Sequence, residues 1–138
     1  MATIRRRGKI RGVKLAFVVH GNPIPKARPR VLMNKAGRTW AFTPATTKAW
    51  EQAVATEARN AMAAAGMFFP FIGRLKLNLY FAREGKHHCD LDNLVKAAKD
   101  AMNGVLWVDD EQVDREAARR WYGCKKSKGF LIIEVEEL

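Results

Sequence analysis

A chain of 138 residues has room for one core and favours one domain, and 48% hydrophobic with 28% charged residues excludes a disordered polypeptide. Twenty-five Lys and Arg against fourteen Asp and Glu leave a net charge of +11. That exceeds the roughly 2–8 that solubility asks of a small domain, so a polyanion is the expected partner and nucleic acid the commonest one.

No apolar run is long enough to cross a bilayer, and no segment pairs a basic face with a clean apolar one. The basic N-terminus is not followed by an apolar signal core with a cleavage site, and two cysteines make no disulfide framework. A cytoplasmic protein working away from membranes is expected. Residues 1–12, with Arg5, Arg6, Arg7, Lys9 and Arg11, are polar, basic and aperiodic. They are expected to form a flexible arm, either for DNA or for solubility, ahead of one domain over 13–138.

Leu15 to Val19 is apolar and rich in β-formers, a strand. Three prolines in Gly21-Asn22-Pro23-Ile24-Pro25-Lys26-Ala27-Arg28-Pro29-Arg30 exclude a regular element. Val31–Met33 and Thr39–Phe42 flank Asn34-Lys35-Ala36-Gly37, a hairpin turn. Thr43 then Pro44 reads as N-cap and first helical position of a helix running to about Ala65, with Gly66 as its stop. Ala49, Ala53, Val54 and Ala61 give that helix only partial amphipathic order, which leaves its buried face open.

Phe68-Phe69-Pro70-Phe71-Ile72 is an apolar connection, readable equally as core or as an interface. Leu75, Leu77, Leu79 and Phe81 alternate with polar residues, a strand with one dry face, and Arg83 to His88 reads as a polar loop. A second helix is expected from Asp90 or Asp92 to Gly104, with Leu91, Leu94, Val95, Ala98 and Met102 as its core stripe. Glu116–Tyr122 and Phe130–Val135 read as strands, and Lys125, Lys126 and Lys128 as a basic hairpin tip between them.

The charge is unevenly spread. Residues 1–50 contain no acid, whereas Asp90, Asp92, Asp100, Asp109, Asp110, Glu111, Asp114 and Glu116 supply eight of the fourteen. A polyanion binder has reason to keep such a cluster away from its ligand, unless metal ions reverse its sign there. Asp90 and Asp92 stand at a helix mouth, Lys96 one turn on, and Asp110 arrives from the next element. Phosphodiester cleavage needs such a set: hard oxygen ligands for a divalent ion, and a cation beside the developing charge. The plainer reading is that the acids cap the helix and that Asp92 and Lys96 form a surface pair. His87-His88-Cys89 with Cys124 lacks the paired spacing of a zinc site. The tryptophans Trp40, Trp50, Trp107 and Trp121 are expected in the core rather than as base-stacking platforms.

The runs Asp90-Leu91-Asp92-Asn93-Leu94-x-Lys96, Asp100-Ala101 and Trp107-x-Asp109-Asp110-x-Gln112-Val113 resemble the signature of the RusA family of crossover junction endodeoxyribonucleases. Gly21-x-Pro23-x-Pro25-Lys26-x-Arg28-Pro29-Arg30 resembles that family's basic, proline-containing segment. The resemblance implies a RusA-like α+β fold, a single domain with a mixed β-sheet packed with two main helices. It implies Asp90, Asp92 and Asp110 as catalytic carboxylates and metal ligands, clustered in space, Lys96 as catalytic lysine, and Mg²⁺ or Mn²⁺ as cofactor. It implies homodimers that resolve four-way (Holliday) DNA junctions by paired cuts in recombination and repair. Lys26, Arg28 and Arg30 are expected on DNA phosphates. The competing functions are a non-catalytic nucleic-acid binder and an RNase or other differently targeted nuclease.

Overall fold

The computed structural model describes residues 4–6, 9–26, 30–42 and 45–138, and the side chains of residues 12–26, 33–39 and 45–138. In chain order the described elements are β1 (Ile4–Arg6), β2 (Lys9–Arg11), β3 (Lys14–His20), β4 (Arg30–Met33), β5 (Thr39–Phe42), α1 (Ala45–Ala64), β6 (Leu75–Glu84), α2 (Leu91–Met102), a 3-10 turn (Asp110–Gln112), β7 (Val113–Cys124) and β8 (Phe130–Glu137). The central sheet has the order β3-β8-β6-β7. β8 is antiparallel to both its neighbours, while β6 and β7 are parallel. Two parallel neighbours need a crossover, and α2 supplies it. The architecture is the expected α+β one, a mixed sheet with two main helices in a single small domain.

Alternation makes the core. Leu75, Leu77, Leu79 and Phe81 of β6 are fully buried, as are Leu131 and Ile133 of β8. On α2, Leu94, Val95, Ala98 and Met102 are buried as the periodicity predicts, and Ala97 and Ala101 widen the stripe. On α1 the buried residues are Thr47, Trp50, Val54, Ala58 and Met62, spaced three or four apart. Of the residues that suggested a face in the sequence, only Val54 belongs to it. Alanine carries too little apolar surface to mark a stripe by itself. The cap expected at Thr43–Pro44 lies outside the described residues.

Other expectations are met or revised. The β4–β5 hairpin forms, and the Asn34 side chain accepts the Ala36 and Arg38 N–H groups across its turn. In the first dozen residues, read as an aperiodic arm, Ile4–Arg6 and Lys9–Arg11 pair antiparallel. Arg83, assigned to a polar loop, lies inside β6 and is 7% exposed. The basic residues Lys125, Lys126 and Lys128 are not a hairpin tip. β6 stands between β7 and β8, so their loop crosses the end of β6, where the Gly129 N–H donates to Glu84 Oε2 at 3.3 Å. Phe71 is core, whereas Phe68, Phe69 and Ile72 are exposed. Trp50 and Trp107 are buried, but Trp121 is half-exposed and stacks on Tyr80. No helix among the described residues is long and apolar enough to cross a membrane.

Candidate active site

The start of α2 is fixed from β7. Tyr122 Oη donates to the Cys89 carbonyl at 3.0 Å, and Arg120 Nη1 donates to the same oxygen at 2.6 Å. Asp90 therefore takes the N-cap position in extended conformation, and its carbonyl accepts the Leu94 N–H at 3.3 Å. Its side chain makes no capping bond, so capping does not explain that carboxylate. Asp92 follows in the first turn and Lys96 one turn later, all three exposed. Among the described residues none of the three makes a side-chain hydrogen bond or ion pair, including the plain Asp92–Lys96 pair. The helix N-terminus favours negative charge there.

The second acidic run is sorted by its partners. Asp109 Oδ1 accepts the Glu111 N–H at 2.9 Å in a capping box with Gln112. Gln112 is buried and donates to the carbonyls of Phe71 and Gly73, tying the turn to the chain before β6. Arg74 takes both Glu111 and Asp114, and its hydrogen bond to Asp114 holds that carboxyl below its ordinary value. Asp110 has no such partner among the described residues. Asp100 and Glu116 are also engaged, with Lys26 at 3.2 Å and Lys99 at 2.8 Å. Of the eight acids between Asp90 and Glu116, five are thus used inside the fold. The three left over are Asp90, Asp92 and Asp110.

These three do not cluster within one chain, contrary to expectation. β7 runs parallel to β6, and α2 returns antiparallel to both, so Val113 lies beside Leu75 while Cys89 lies beside Tyr122. Asp90 and Asp92 sit at one end of α2 and Asp110 beyond the other. Twelve helical residues rise about 18 Å, which no shared ion spans. Consistently, no three His, Cys, Asp or Glu among the described residues converge as a metal-holding group, zinc included.

The basic segment is placed against the α2 mouth. The Lys26 N–H donates to the Asn93 carbonyl at 2.9 Å, and the Pro23 carbonyl accepts from Arg83 Nε at 3.1 Å. Lys26, expected on phosphate, has its Nζ 3.0 Å from Glu51 and 3.2 Å from Asp100, joining α1 to α2. Burial works to lower its pKa, but the hydrogen bonds to Glu51 and Asp100 outweigh that and hold it above the ordinary value. Arg28 lies outside the described residues. Arg30 begins β4, and its side chain is not among those described. Arg83 is a positioning residue that the sequence concealed. It binds the carbonyls of Pro23 and His87 and the Cys89 sulfur, linking basic segment, loop and helix mouth. His88 stacks on Tyr122 with ring centroids 4.0 Å apart, beside Asp90.

No curated protein matches the chain. A family model described as endodeoxyribonuclease RusA matches residues 20–136, which take in the basic segment, the mouth of α2 and the Asp110 turn. With that span covering nearly the whole chain, the protein belongs to the RusA endodeoxyribonuclease family.

Proposed function

We propose that the protein resolves four-way DNA junctions as a divalent-metal-dependent endonuclease, by paired phosphodiester cuts made by a homodimer in the course of recombination and repair. One observation carries the reading. The three carboxylates left without an internal partner among the described residues, out of the eight between Asp90 and Glu116, are those that the family resemblance assigns to catalysis. Carboxylates not engaged inside the fold are available to a ligand, and hard oxygen donors suit Mg²⁺ or Mn²⁺.

Asp90 and Asp92 of one chain supply two ligands, and the third comes from Asp110 of a second chain. Two facts support that division: the length of α2 between the two sets, and the need for two matched cuts in a junction of two-fold symmetry. When bound, the ion polarises the scissile phosphate and lowers the pKa of a bound water. Lys96, exposed on the same helix and without an acidic partner among the described residues, stabilises charge developing on the phosphate. Lys26, Arg28 and Arg30 are proposed phosphate contacts, and the cytoplasm is the proposed compartment.

The test is incubation of the purified protein with a four-way junction, a linear duplex of the same sequence and a structured RNA, each with and without Mg²⁺. Paired cuts in the junction alone, and only with metal, are expected. Junction binding with no cleavage in Mg²⁺ or Mn²⁺ would favour the non-catalytic reading, and RNA cleavage the ribonuclease one.

A further inference from the structure

We infer that the ribbon of β1 and β2 is a DNA-binding element of this chain's own, whose cationic face takes phosphates on a duplex arm of the substrate. The inference rests on the reading that the substrate is branched DNA. It adds a contact outside the span matched by the family model, which begins at residue 20.

The register sorts the residues. Ile4 stands opposite Arg11, Arg5 opposite Ile10 and Arg6 opposite Lys9. Successive strand residues alternate between the two faces, so Arg6, Lys9 and Arg11 share one face with Ile4, and Arg5 shares the other with Ile10. No acid occurs in the first fifty residues to offset these cations locally. Solubility alone gives no reason for such a pairing, because like charges directly opposite each other destabilise a strand pair, as Arg6 and Lys9 are here. A two-stranded ribbon is marginal by itself, and β1 and β2 pair with no other described strand. A polyanion laid along the cationic face removes the repulsion and supplies the missing contacts. Duplex DNA fits that role, since its major groove admits a two-stranded ribbon.

The root of the ribbon sets it near the site. The chain bends at Gly12, with φ 74°, and the Val13 carbonyl then accepts the Glu137 N–H at 3.0 Å. Glu137 pairs with Leu75, and Leu75 pairs with Val113, the residue after the Asp110–Gln112 turn. The ribbon is therefore rooted at the sheet end that carries Asp110, three strand spacings or about 14 Å across. Its own strands, three residues each, are about 10 Å long. DNA engaged at Asp110 has an arm within reach of such an element.

Salt-dependent binding tests the assignment. The whole chain and its variants are titrated into a labelled four-way junction, a linear duplex and a structured RNA, without divalent metal and at several KCl concentrations. Each phosphate contact adds about 0.9 to the steepness of log K against log salt, so R6Q/K9Q/R11Q should lower it by about 2.7 on both DNAs. R5Q, on the other face, should leave it nearly unchanged. I10R/R11I is the second variant: it keeps composition and net charge, moves one cation across the ribbon, and should lower the steepness by about 0.9. If the swap matches wild type, or R5Q loses as much per cation as the triple variant, the charges act without a ribbon face and the inference fails. A drop on the RNA but on neither DNA overturns it as well and gives the ribbon to RNA. A wild type that binds neither DNA overturns the proposed function too. Junction binding whose steepness the triple variant does not change overturns the ribbon alone.

Discussion

At the scale of single residues, the stretch from Asp90 to Glu116 offers eight acids and the fold dismisses five. Asp109 caps a turn, Glu111 and Asp114 answer Arg74, Asp100 answers Lys26, and Glu116 answers Lys99. The resemblance alone marks Asp90, Asp92 and Asp110, and the partner inventory reaches the same three by an independent route. Replacing any of them by asparagine should lower junction cleavage by more than about a hundredfold, since even residues that only support metal ligands cost 10–100-fold. Junction binding should persist, because repulsion toward phosphate falls. Asp114→Asn is the contrast: its carboxylate is committed to Arg74, so cleavage should be nearly unchanged while stability falls slightly. Single-turnover cleavage with gel-shift binding checks both, and a wild-type rate in Asp110→Asn would remove that residue from the site. Lys96→Ala should cripple cleavage with only a small loss of binding.

At the scale of elements, what was legible was whatever alternates or carries a turn residue. β6 reads directly from Leu75, Leu77, Leu79 and Phe81, the β4–β5 turn from Asn34 and Gly37, and α2 from its apolar stripe. α1 was legible in extent but not in face, because alanines dilute the pattern set by Trp50, Val54 and Met62. The end of β6 was hidden because Arg83 looks like the first residue of a polar loop, and only tertiary contacts with Pro23, His87 and Cys89 make its burial tolerable. The internal contacts of Lys26 were hidden for the same reason. A lysine between prolines suggests a phosphate contact, and nothing local announces Glu51 and Asp100. Lys26→Met should therefore destabilise the fold by about 1–2 kcal/mol, leaving two partly buried carboxylates without their cation. The folded-state pKa of Lys26 is raised, so its contribution is complete below the ordinary value of 10.5 and fades as pH rises through the folded value. Denaturant melts should show the full gap between wild type and variant at pH 7 and a smaller one above pH 10.5. A gap that stays constant with pH would assign the loss to packing instead.

At the scale of the whole molecule, the site was legible as a set of residues and not as a place. Sequence spacing sets Asp110 eighteen positions after Asp92, but whether the crossover returns it to the same end is a matter of topology. Because β6 and β7 are parallel, it does not. A site shared between two chains predicts a specific pattern of complementation. Asp92→Asn and Asp110→Asn are each inactive alone. In a mixed dimer one site pairs the mutated Asp92 position with the mutated Asp110 position, and the other combines intact Asp90, Asp92 and Asp110. One working site in two should therefore return when the two inactive proteins are mixed and allowed to exchange subunits. With a single site per dimer the product should be a nicked junction rather than two resolved duplexes. Random exchange makes about half of the dimers mixed, which sets the upper limit of recovered nicking. A site built within one chain predicts no recovery, since each chain of the mixed dimer still lacks one ligand. Nicking of an end-labelled junction on a denaturing gel separates the two cases, and a mixture as silent as its components would return Asp110 to some other role.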